Sequence, residues 1–262
     1  MFAIGLVVGA SNLPVSAHSW SGDVSKTTVS QEQKHIFNEF ISIFENSSLN
    51  LAYDYVEALR DGRGYTAGRS GFTTRDGDLL QVVQLYLKRH PDSDFKDLVP
   101  QLILTHQDES GSLRGLRALP GLWHSAVQDP DFLEAQDEVS DQLYYLPALD
   151  WANRLNLSSA VSILCLYDAA IEHGVDGPDG LADMISHVSP PSSYSNELLW
   201  LKAFQAVRRA VLMNAADPET RKVWRDSVGR VDALDAVIES GNVNLAVPIA
   251  VNPFGDEFVI TN

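Results

Sequence analysis

The sequence ENSSL at residues 45–49 is followed shortly by DGRGYT at residues 61–66, and these two stretches decide the fold. Before the first stretch, apolar residues recur at the spacing of one helix face. After the second stretch, glycine punctuates the chain every few residues. The chain therefore changes from helix to turns and short strands between Glu45 and Asp61. A carboxyl group at a helix end, paired with one in a glycine-rich hairpin, suits general acid and general base chemistry.

The elements around these two stretches follow from capping and periodicity. Ser30 and Gln33 predict a capping box at the start of the first helix. Residues 46–48 then predict its end. A second, short helix is predicted over residues 51–59. The glycines, threonines and aromatic residues over residues 61–77 predict a small antiparallel sheet. The apolar face of the first helix consists of Ile36, Phe37, Phe40, Ile41 and Phe44.

The remainder of the chain is predominantly helical in its pattern. The run at residues 161–171 is apolar nearly all round, which predicts a central buried helix. Residues 243–260 are predicted as irregular or extended. The predicted fold class is α+β, mainly α-helical, with one small antiparallel sheet. The remaining predicted helices cover about residues 79–90, 94–106, 120–155 with interruptions at Pro130 and Pro147, 158–173, 195–214 and 217–239.

Length and charge limit the classes of protein. A chain of 262 residues can form one large domain or two lobes with a sizeable core. With 19 Lys and Arg against 35 Asp and Glu, the formal net charge is −16, which argues against a nucleic-acid partner. Such acidity suits a cationic partner or substrate, and simple solubility is the alternative interpretation. The lone cysteine, Cys165, lies in an apolar run and is predicted as a buried, inert thiol.

The N-terminal residues carry a pattern typical of export. Residues 1–17 contain no charged residue, and Val15-Ser16-Ala17 fits a small-x-small cleavage site. We therefore predict a signal peptide at residues 1–17, a flexible segment at residues 18–28, a catalytic domain over residues 29–262, and a secreted protein. No other segment approaches 18 apolar residues, so no membrane association is predicted.

Several catalytic signatures are missing from the sequence. There is no HExxH motif and no pair of cysteines, so no metal site is predicted. Ala67 stands where a phosphate-binding GxGxxG loop needs glycine, and the segment around Ser70 lacks the full GxSxG pattern of a nucleophile elbow. We therefore predict a protein without cofactors.

The remaining motifs resemble the chitosanases of glycoside hydrolase family 46. The resemblance spans roughly residues 29–262 and is most specific in its first half. It implies a lysozyme-like fold of two lobes, with the small sheet beside the active-site cleft. The matching blocks are ENSSL at 45–49, YDYVE at 53–57, DGRGYTAG at 61–68, GF at 71–72, GD at 77–78, YDA at 167–169, GRVD at 229–232, GNVNL at 241–245 and GDEFVI at 255–260.

The resemblance implies endo-acting hydrolysis of β-1,4 links in chitosan, a polymer of glucosamine, with inversion at the anomeric carbon. Glu45 would be the general acid and Asp61 the general base, while Thr66 would help Asp61 to position the attacking water. Elementary physics agrees, because the negative helix end and partial burial behind Phe44 should raise the pKa of Glu45. Asp61, among glycines, should be ionised.

Further residues match positions that bind substrate in the family. Asp78 would hold a substrate amino group, although a helix N-cap is the alternative. Arg63 would control the charge of the carboxylates or support the cleft, and a surface turn is the alternative. Asn46, Ser47 and Tyr55 match positions that line the cleft, with helix termination and packing as alternatives.

The resemblance also implies a buried network of Asp168, Arg208 and Arg230 that supports the acid. An unpaired Asp168 in an apolar helix would be costly, so a paired arginine is expected on physical grounds too. The chain departs from the family in a slightly shorter segment between Glu45 and Asp61. It also departs in the loop at residues 108–120.

The implied partners are chitosan and glucosamine oligosaccharides, and a monomer is expected. Two rival functions remain at this stage. One is hydrolysis of chitin or peptidoglycan on the same fold. The other is a non-catalytic polysaccharide-binding module. Arg114 and Arg117 in the departing loop could repel a polycation, which leaves the preference among substrate subsites open.

Overall fold

The structure, a computed structural model, describes residues 29–215 and 218–261. The predicted signal peptide at residues 1–17 and the segment at residues 18–28 lie outside the described residues. The chain divides into two compact units. We call Leu51–Leu143 the inserted unit, and the described residues up to Asn50 and from Tyr144 onward the terminal unit.

The described part of the chain is mainly helical with two small antiparallel sheets, which confirms the predicted fold class. Short 3₁₀ helices lie at Asp94–Asp97 and Pro191–Ser193, and a π-helical turn at Asp141–Tyr145 separates two α-helices. The other elements, in chain order, are α1 (Gln31–Asn46), β1 (Val56–Glu57), β2 (Thr66–Ala67), β3 (Phe72–Thr73), α2 (Asp78–Arg89), α3 (Val99–Gln107), α4 (Leu119–Ala126), α5 (Pro130–Ser140), α6 (Leu146–Arg154), α7 (Ala160–His173), α8 (Leu181–Ser186), α9 (Glu197–Asn214), α10 (Pro218–Asp226), α11 (Val228–Glu239), β4 (Ile249–Val251) and β5 (Phe258–Ile260).

The inserted unit combines the three-stranded sheet with helices α2 to α5. Strands β1, β2 and β3 pair antiparallel in that order, and Thr66 lies opposite both Glu57 and Thr73. The core beneath them is aromatic: the ring of Trp123 meets the rings of Phe95 and Phe132 edge-on. This packing fixes the helices against which the sheet lies.

The predicted helix at residues 51–59 is wrong. This stretch contains a turn and strand β1. The carbonyl of Tyr53 accepts hydrogen bonds from the Trp123 indole at 2.9 Å and the Gln136 side-chain amide at 3.2 Å. The carbonyl of Tyr55 accepts one from the N–H of Gly68 at 2.7 Å. These backbone groups are therefore satisfied by distant parts of the chain rather than by a helix.

The terminal unit is built around α7, in which every residue is buried, as its all-round apolar pattern predicts. Helices α1, α6, α9 and α11 all pack against α7, and β4 pairs antiparallel with β5. The predicted helix at residues 217–239 is divided at Ser227 into α10 and α11, and α8 was not predicted. Among the described residues, no helix is both long and apolar enough to span a bilayer.

Candidate active site

Helix α1 brings Glu45 to its own C-terminal end. The helix begins at the predicted capping box of Ser30 and Gln33 and ends at Asn46. Ser47 adopts a left-handed conformation with φ of 49° and donates its N–H to the carbonyl of Ile43. The apolar face of α1 is buried, so the Glu45 side chain is held close to the core and is only 13% exposed.

The structure brings Glu45 together with Arg230, Asp168 and Arg208, the residues that the resemblance placed behind the acid. Arg230 Nη1 donates to Glu45 Oε1 at 2.5 Å, and Arg230 Nη2 donates to Asp168 Oδ1 at 2.6 Å. Arg208 Nη2 lies 2.6 Å from the other carboxylate oxygen of Asp168. Asp168 and Arg208 are fully buried, so these charges neutralise one another without water.

Sequence reasoning missed one member of this cluster, Glu172. Its carboxylate is buried and bonds to Arg230 Nη1, the same nitrogen that donates to Glu45. A signal existed, because Glu172 follows Asp168 by one helical turn and therefore shares its face of α7. His173 also lies here and accepts from Arg208 Nε at 3.4 Å. Burial first, and then the two arginines, lower the pKa of His173 well below its ordinary value.

The two catalytic carboxyls predicted from the sequence have opposite pKa shifts. Burial raises the pKa of Glu45, Arg230 opposes this rise, and the charges of Glu172 and Asp168 reinforce it. The net result is a raised pKa for Glu45. For Asp61, burial also pushes the pKa up, but the hydrogen bonds and charge of Arg63 outweigh it, so the pKa is lowered.

Asp61 and Arg63 form an ion pair with two hydrogen bonds at the start of the hairpin in the inserted unit. Arg63 donates its backbone N–H to Asp61 Oδ1 at 3.0 Å and its Nε–H to Asp61 Oδ2 at 2.9 Å. The Arg63 side chain is 7% exposed and that of Asp61 is 17% exposed. Arg63 therefore contacts the predicted base directly and is buried, whereas its expected control of the carboxylate charge stays a prediction.

Thr66 lies in β2, in the middle of the three-stranded sheet. It is 1% exposed, and its hydroxyl oxygen is buried without a hydrogen-bond partner among the described residues. A buried hydroxyl without a partner is costly, so its position calls for a functional reason. The predicted role in orienting water is such a reason and stays a prediction.

Asp78 occupies the first turn of α2, after the left-handed cap residue Gly77. Its Oδ1 accepts hydrogen bonds from the N–H groups of Thr73 at 2.7 Å and Leu79 at 2.9 Å. Burial, with a contribution from the charge of Asp76, raises the pKa of Asp78 to about 7 although these N–H groups oppose the rise. Asp78 thus stabilises the start of α2, although burial makes its ionised form unfavourable.

The remaining candidate residues are placed as follows. Asn46 is the last residue of α1, and its side-chain nitrogen is buried without a partner among the described residues. Ser47 is the cap residue of the same helix. The Tyr55 hydroxyl lies 3.2 Å from Glu57 Oε2, and burial, with the charge of Glu57, raises its pKa to about 12.

One cluster of histidine and carboxylates was not foreseen. His90, Asp129 and Asp131 place one donor atom each within 4.8 Å of one another. Each group has a partner within the protein: His90 Nε2 lies 2.7 Å from Asp131, and Asp129 accepts from Tyr86 at 2.9 Å. His90 ends α2 and Asp129 caps α5, so these contacts brace two helix ends.

Comparison with known proteins identifies the family. The sequence model of the family described as Glycosyl hydrolase family 46 matches residues 39–249, and this range includes both carboxyls and the buried arginine cluster. The chain belongs to glycosyl hydrolase family 46. This membership makes the protein a glycoside hydrolase and agrees with the resemblance found in its motifs.

Relatives and solved structures of family members match nearly the whole chain. The chain is 40% identical to a chitosanase of Bacillus subtilis (strain 168) over 88% of its own length and 86% of the relative's. A Gynuella sunshinyii chitosanase in complex with chitotetraose has a TM-score of 0.82 and 39% identity, over 90% of this chain and all of that one. A mutant chitosanase from Bacillus subtilis MY002 complexed with 6 GlcN also has a TM-score of 0.82, with 38% identity over 89% of this chain and 100% of that one.

Proposed function

We propose that this family 46 member is an endo-acting chitosanase that hydrolyses β-1,4 links in chitosan with inversion. The family and the chitosanase relatives support the reaction class and the substrate. The opposite pKa shifts of Glu45 and Asp61 carry the mechanism, because an inverting site needs one protonated and one ionised carboxyl. The protein acts without a cofactor in this proposal.

The chemistry then divides between two side chains. Glu45, with its raised pKa, keeps a proton near neutral pH and gives it to the leaving glycosidic oxygen. Asp61, with its lowered pKa, is ionised and accepts a proton from the water that attacks the anomeric carbon. The hydroxyl of Thr66 is available as a second hydrogen-bond partner for this water, since the protein gives it none among the described residues.

Recognition of the substrate rests on charge. Each glucosamine unit that carries a proton on its amine presents an ammonium group, and Asp78 is a carboxyl whose own charge is only partly satisfied. An ammonium partner would favour its ionised form. Asn46, Ser47 and Tyr55 complete the proposed substrate contacts, and Arg63 acts through Asp61.

The test is a pair of isosteric substitutions. Glu45→Gln and Asp61→Asn should each reduce kcat on chitosan by a factor of about 100 or more, since each removes one half of the acid–base pair. The substrate KM should change much less. Circular dichroism and thermal melts must show that both variants fold. Near-wild-type turnover by either folded variant would refute the assigned role.

Two further readouts define substrate and stereochemistry. NMR of the first products from polymeric chitosan should show the α-anomer, as inversion of a β-link requires. Rates on chitosans of graded acetylation should fall as acetyl groups replace the free amines. A preference for the most acetylated polymer would favour a chitin hydrolase instead.

Export and oligomeric state also belong to this proposal. The uncharged residues 1–17 and the Val15-Ser16-Ala17 site support secretion. N-terminal sequencing of protein from the culture medium should begin at His18. Light scattering should give the mass of a monomer.

A further inference from the structure

The cluster behind Glu45 holds more carboxyls than guanidinium groups. Among the described residues that bond to one another here, Arg230 and Arg208 supply two positive charges. The carboxyls number three, because Glu172 joins Asp168 and Glu45. If all were ionised, the cluster would carry one excess negative charge in a buried place, which is costly. One retained proton makes the cluster neutral.

We infer that Glu172 is a positioning residue that keeps the transferable proton on Glu45. Its carboxylate gives the cluster one more negative charge than the two arginines can balance. The inference rests on the proposed function, in which Glu45 is the general acid. Glu172 itself is 2% exposed and bonds to the arginine, so it acts through Arg230 and not on the substrate.

The geometry shows why Glu45, and not Asp168, is the carboxyl that can keep a transferable proton. Asp168 receives two donors from Arg230 at 2.6 Å and 3.2 Å and faces Arg208 on its other oxygen. Glu45 shares a single nitrogen of Arg230 with Glu172. Glu45 is therefore stabilised as an anion less than Asp168 is. It is also the most exposed of the three carboxyls, at 13% against 2% and 0%, so it alone can reach a substrate.

The charged groups that face Glu45 in the described part of the chain act on its pKa in opposite directions, according to their sign. Arg230, from α11, lowers the pKa of Glu45, whereas Glu172 and Asp168, from α7, raise it. The guanidinium of Arg230 is also held over the Phe44 ring, 5.3 Å from its centroid. His173 stays neutral because burial and both arginines lower its pKa. Without Glu172, two cations would face two carboxylates, and the balance would favour an ionised Glu45.

The test is the pH dependence of kcat/KM for Glu172→Gln. The alkaline limb reports loss of the proton from the acid, so it should move to lower pH by about one unit or more when the neighbouring charge is removed. The acid limb, which reports Asp61 in the inserted unit, should stay in place. A residue with only a structural role would lower the melting temperature without moving either limb.

A control and a second variant keep the test decisive. Glu197→Gln removes another carboxylate of the terminal unit, one that bonds to the N–H groups of Ser158 and Ser159, and it should leave both limbs unchanged. Glu172→Met removes the charge with an apolar side chain of similar size, and the two remaining carboxyls, Glu45 and Asp168, still face the two arginines. It should move the alkaline limb as Glu172→Gln does.

Three outcomes would overturn the inference. One is a folded variant at position 172 with the wild-type alkaline limb. Another is an equal shift in Glu197→Gln. The third is failure of both position-172 variants to fold, which would make Glu172 a packing residue. Failure of the proposed function itself would be seen separately, as an active Glu45→Gln.

Discussion

At the scale of single residues, Asp78 combines two demands that conflict. Its carboxylate accepts the N–H of Thr73 in β3 and the N–H of Leu79 in the first turn of α2, which orders the start of the helix. Burial nevertheless raises its pKa to about 7, so its charge destabilises the folded protein near neutral pH. A carboxyl that is costly to ionise in the free protein is well suited to a cationic ligand, because the ligand relieves that cost.

This conflict predicts that Asp78→Asn stabilises the protein at alkaline pH. The folded pKa, about 7, lies above the ordinary value of 3.8, so the folded state binds the proton more tightly than the unfolded chain. The stability from Asp78 is thus fully present below about pH 4 and is lost as pH rises through about 7. Asparagine keeps an oxygen for the two N–H groups and never ionises.

Thermal melts of both proteins between about pH 4 and about pH 8 measure this difference. The melting temperature of Asp78→Asn should exceed that of the wild type only at the upper end of this range. Asp94→Asn, at an exposed carboxyl of the same unit, is the matched control and should give no pH-dependent difference. A variant less stable than wild type at about pH 8 would contradict the argument.

Whether the sequence can identify a candidate site residue depends on how close in the chain the features that mark it lie. Glu45 and Asp61 are candidates from the sequence because the features that mark them, a helix end and a glycine-rich hairpin, are local in the chain. Asp168 can be recognised in the sequence because it is a charged residue in an apolar helix. Glu172 shares a face of α7 with Asp168, but it was missed because its significance depends on Arg230, which lies 58 residues further along the chain. The pKa of Asp78 likewise depends on burial, which only the fold determines.

At the scale of elements, the hairpin that carries Asp61 depends on glycines at left-handed positions. Gly62 and Gly64 have φ angles of 86° and 85°, which side chains rarely adopt. They differ in their surroundings. A Cβ at Gly64 would lie 2.1 Å from Thr74 Oγ1, whereas a Cβ at Gly62 would meet nothing within 4 Å.

These two glycines give a matched pair of substitutions. Gly62→Ala should cost only the backbone strain of about 1–2 kcal/mol in the free energy of unfolding. Gly64→Ala should cost more, because the clash displaces the Thr74 hydroxyl that accepts from Tyr65 and donates to the carbonyl of Arg63. It should also reduce kcat, since these bonds hold the hairpin next to the proposed base. Urea denaturation and initial rates measure both effects, and equal losses in the two variants would refute the steric argument.

Helices and turns were predictable where local signals decide them. The capping box of Ser30, the breaks near Pro130 and Pro147 and the glycine-rich sheet are signals of this kind. The helix predicted at residues 51–59 failed for the opposite reason. The carbonyl of Tyr53 accepts from Trp123 and Gln136, which lie 70 and 83 residues further along the chain, and the carbonyl of Tyr55 accepts from Gly68. No periodicity within the segment reveals such partners.

At the scale of the whole molecule, the sequence predicts the net charge but not the division of the chain into two units. The net charge of −16 can be read directly from composition. The discontinuous terminal unit, which joins residues up to Asn50 with those from Tyr144 onward, has no compositional mark.

The net charge predicts a salt dependence specific to the polymeric substrate. A protein with −16 charges attracts a polycation over distances comparable to the Debye length, which falls from about 30 Å at 0.01 M salt to about 3 Å at 1 M. KM for chitosan should therefore rise with salt, whereas kcat should change little because the contact between Glu45 and Arg230 is buried. A short glucosamine oligosaccharide carries fewer charges and should show a weaker dependence. Melting temperatures over the same range must show that the protein stays folded. A KM for the polymer that is constant across this range would mean that the acidity of the chain serves solubility and not the capture of substrate.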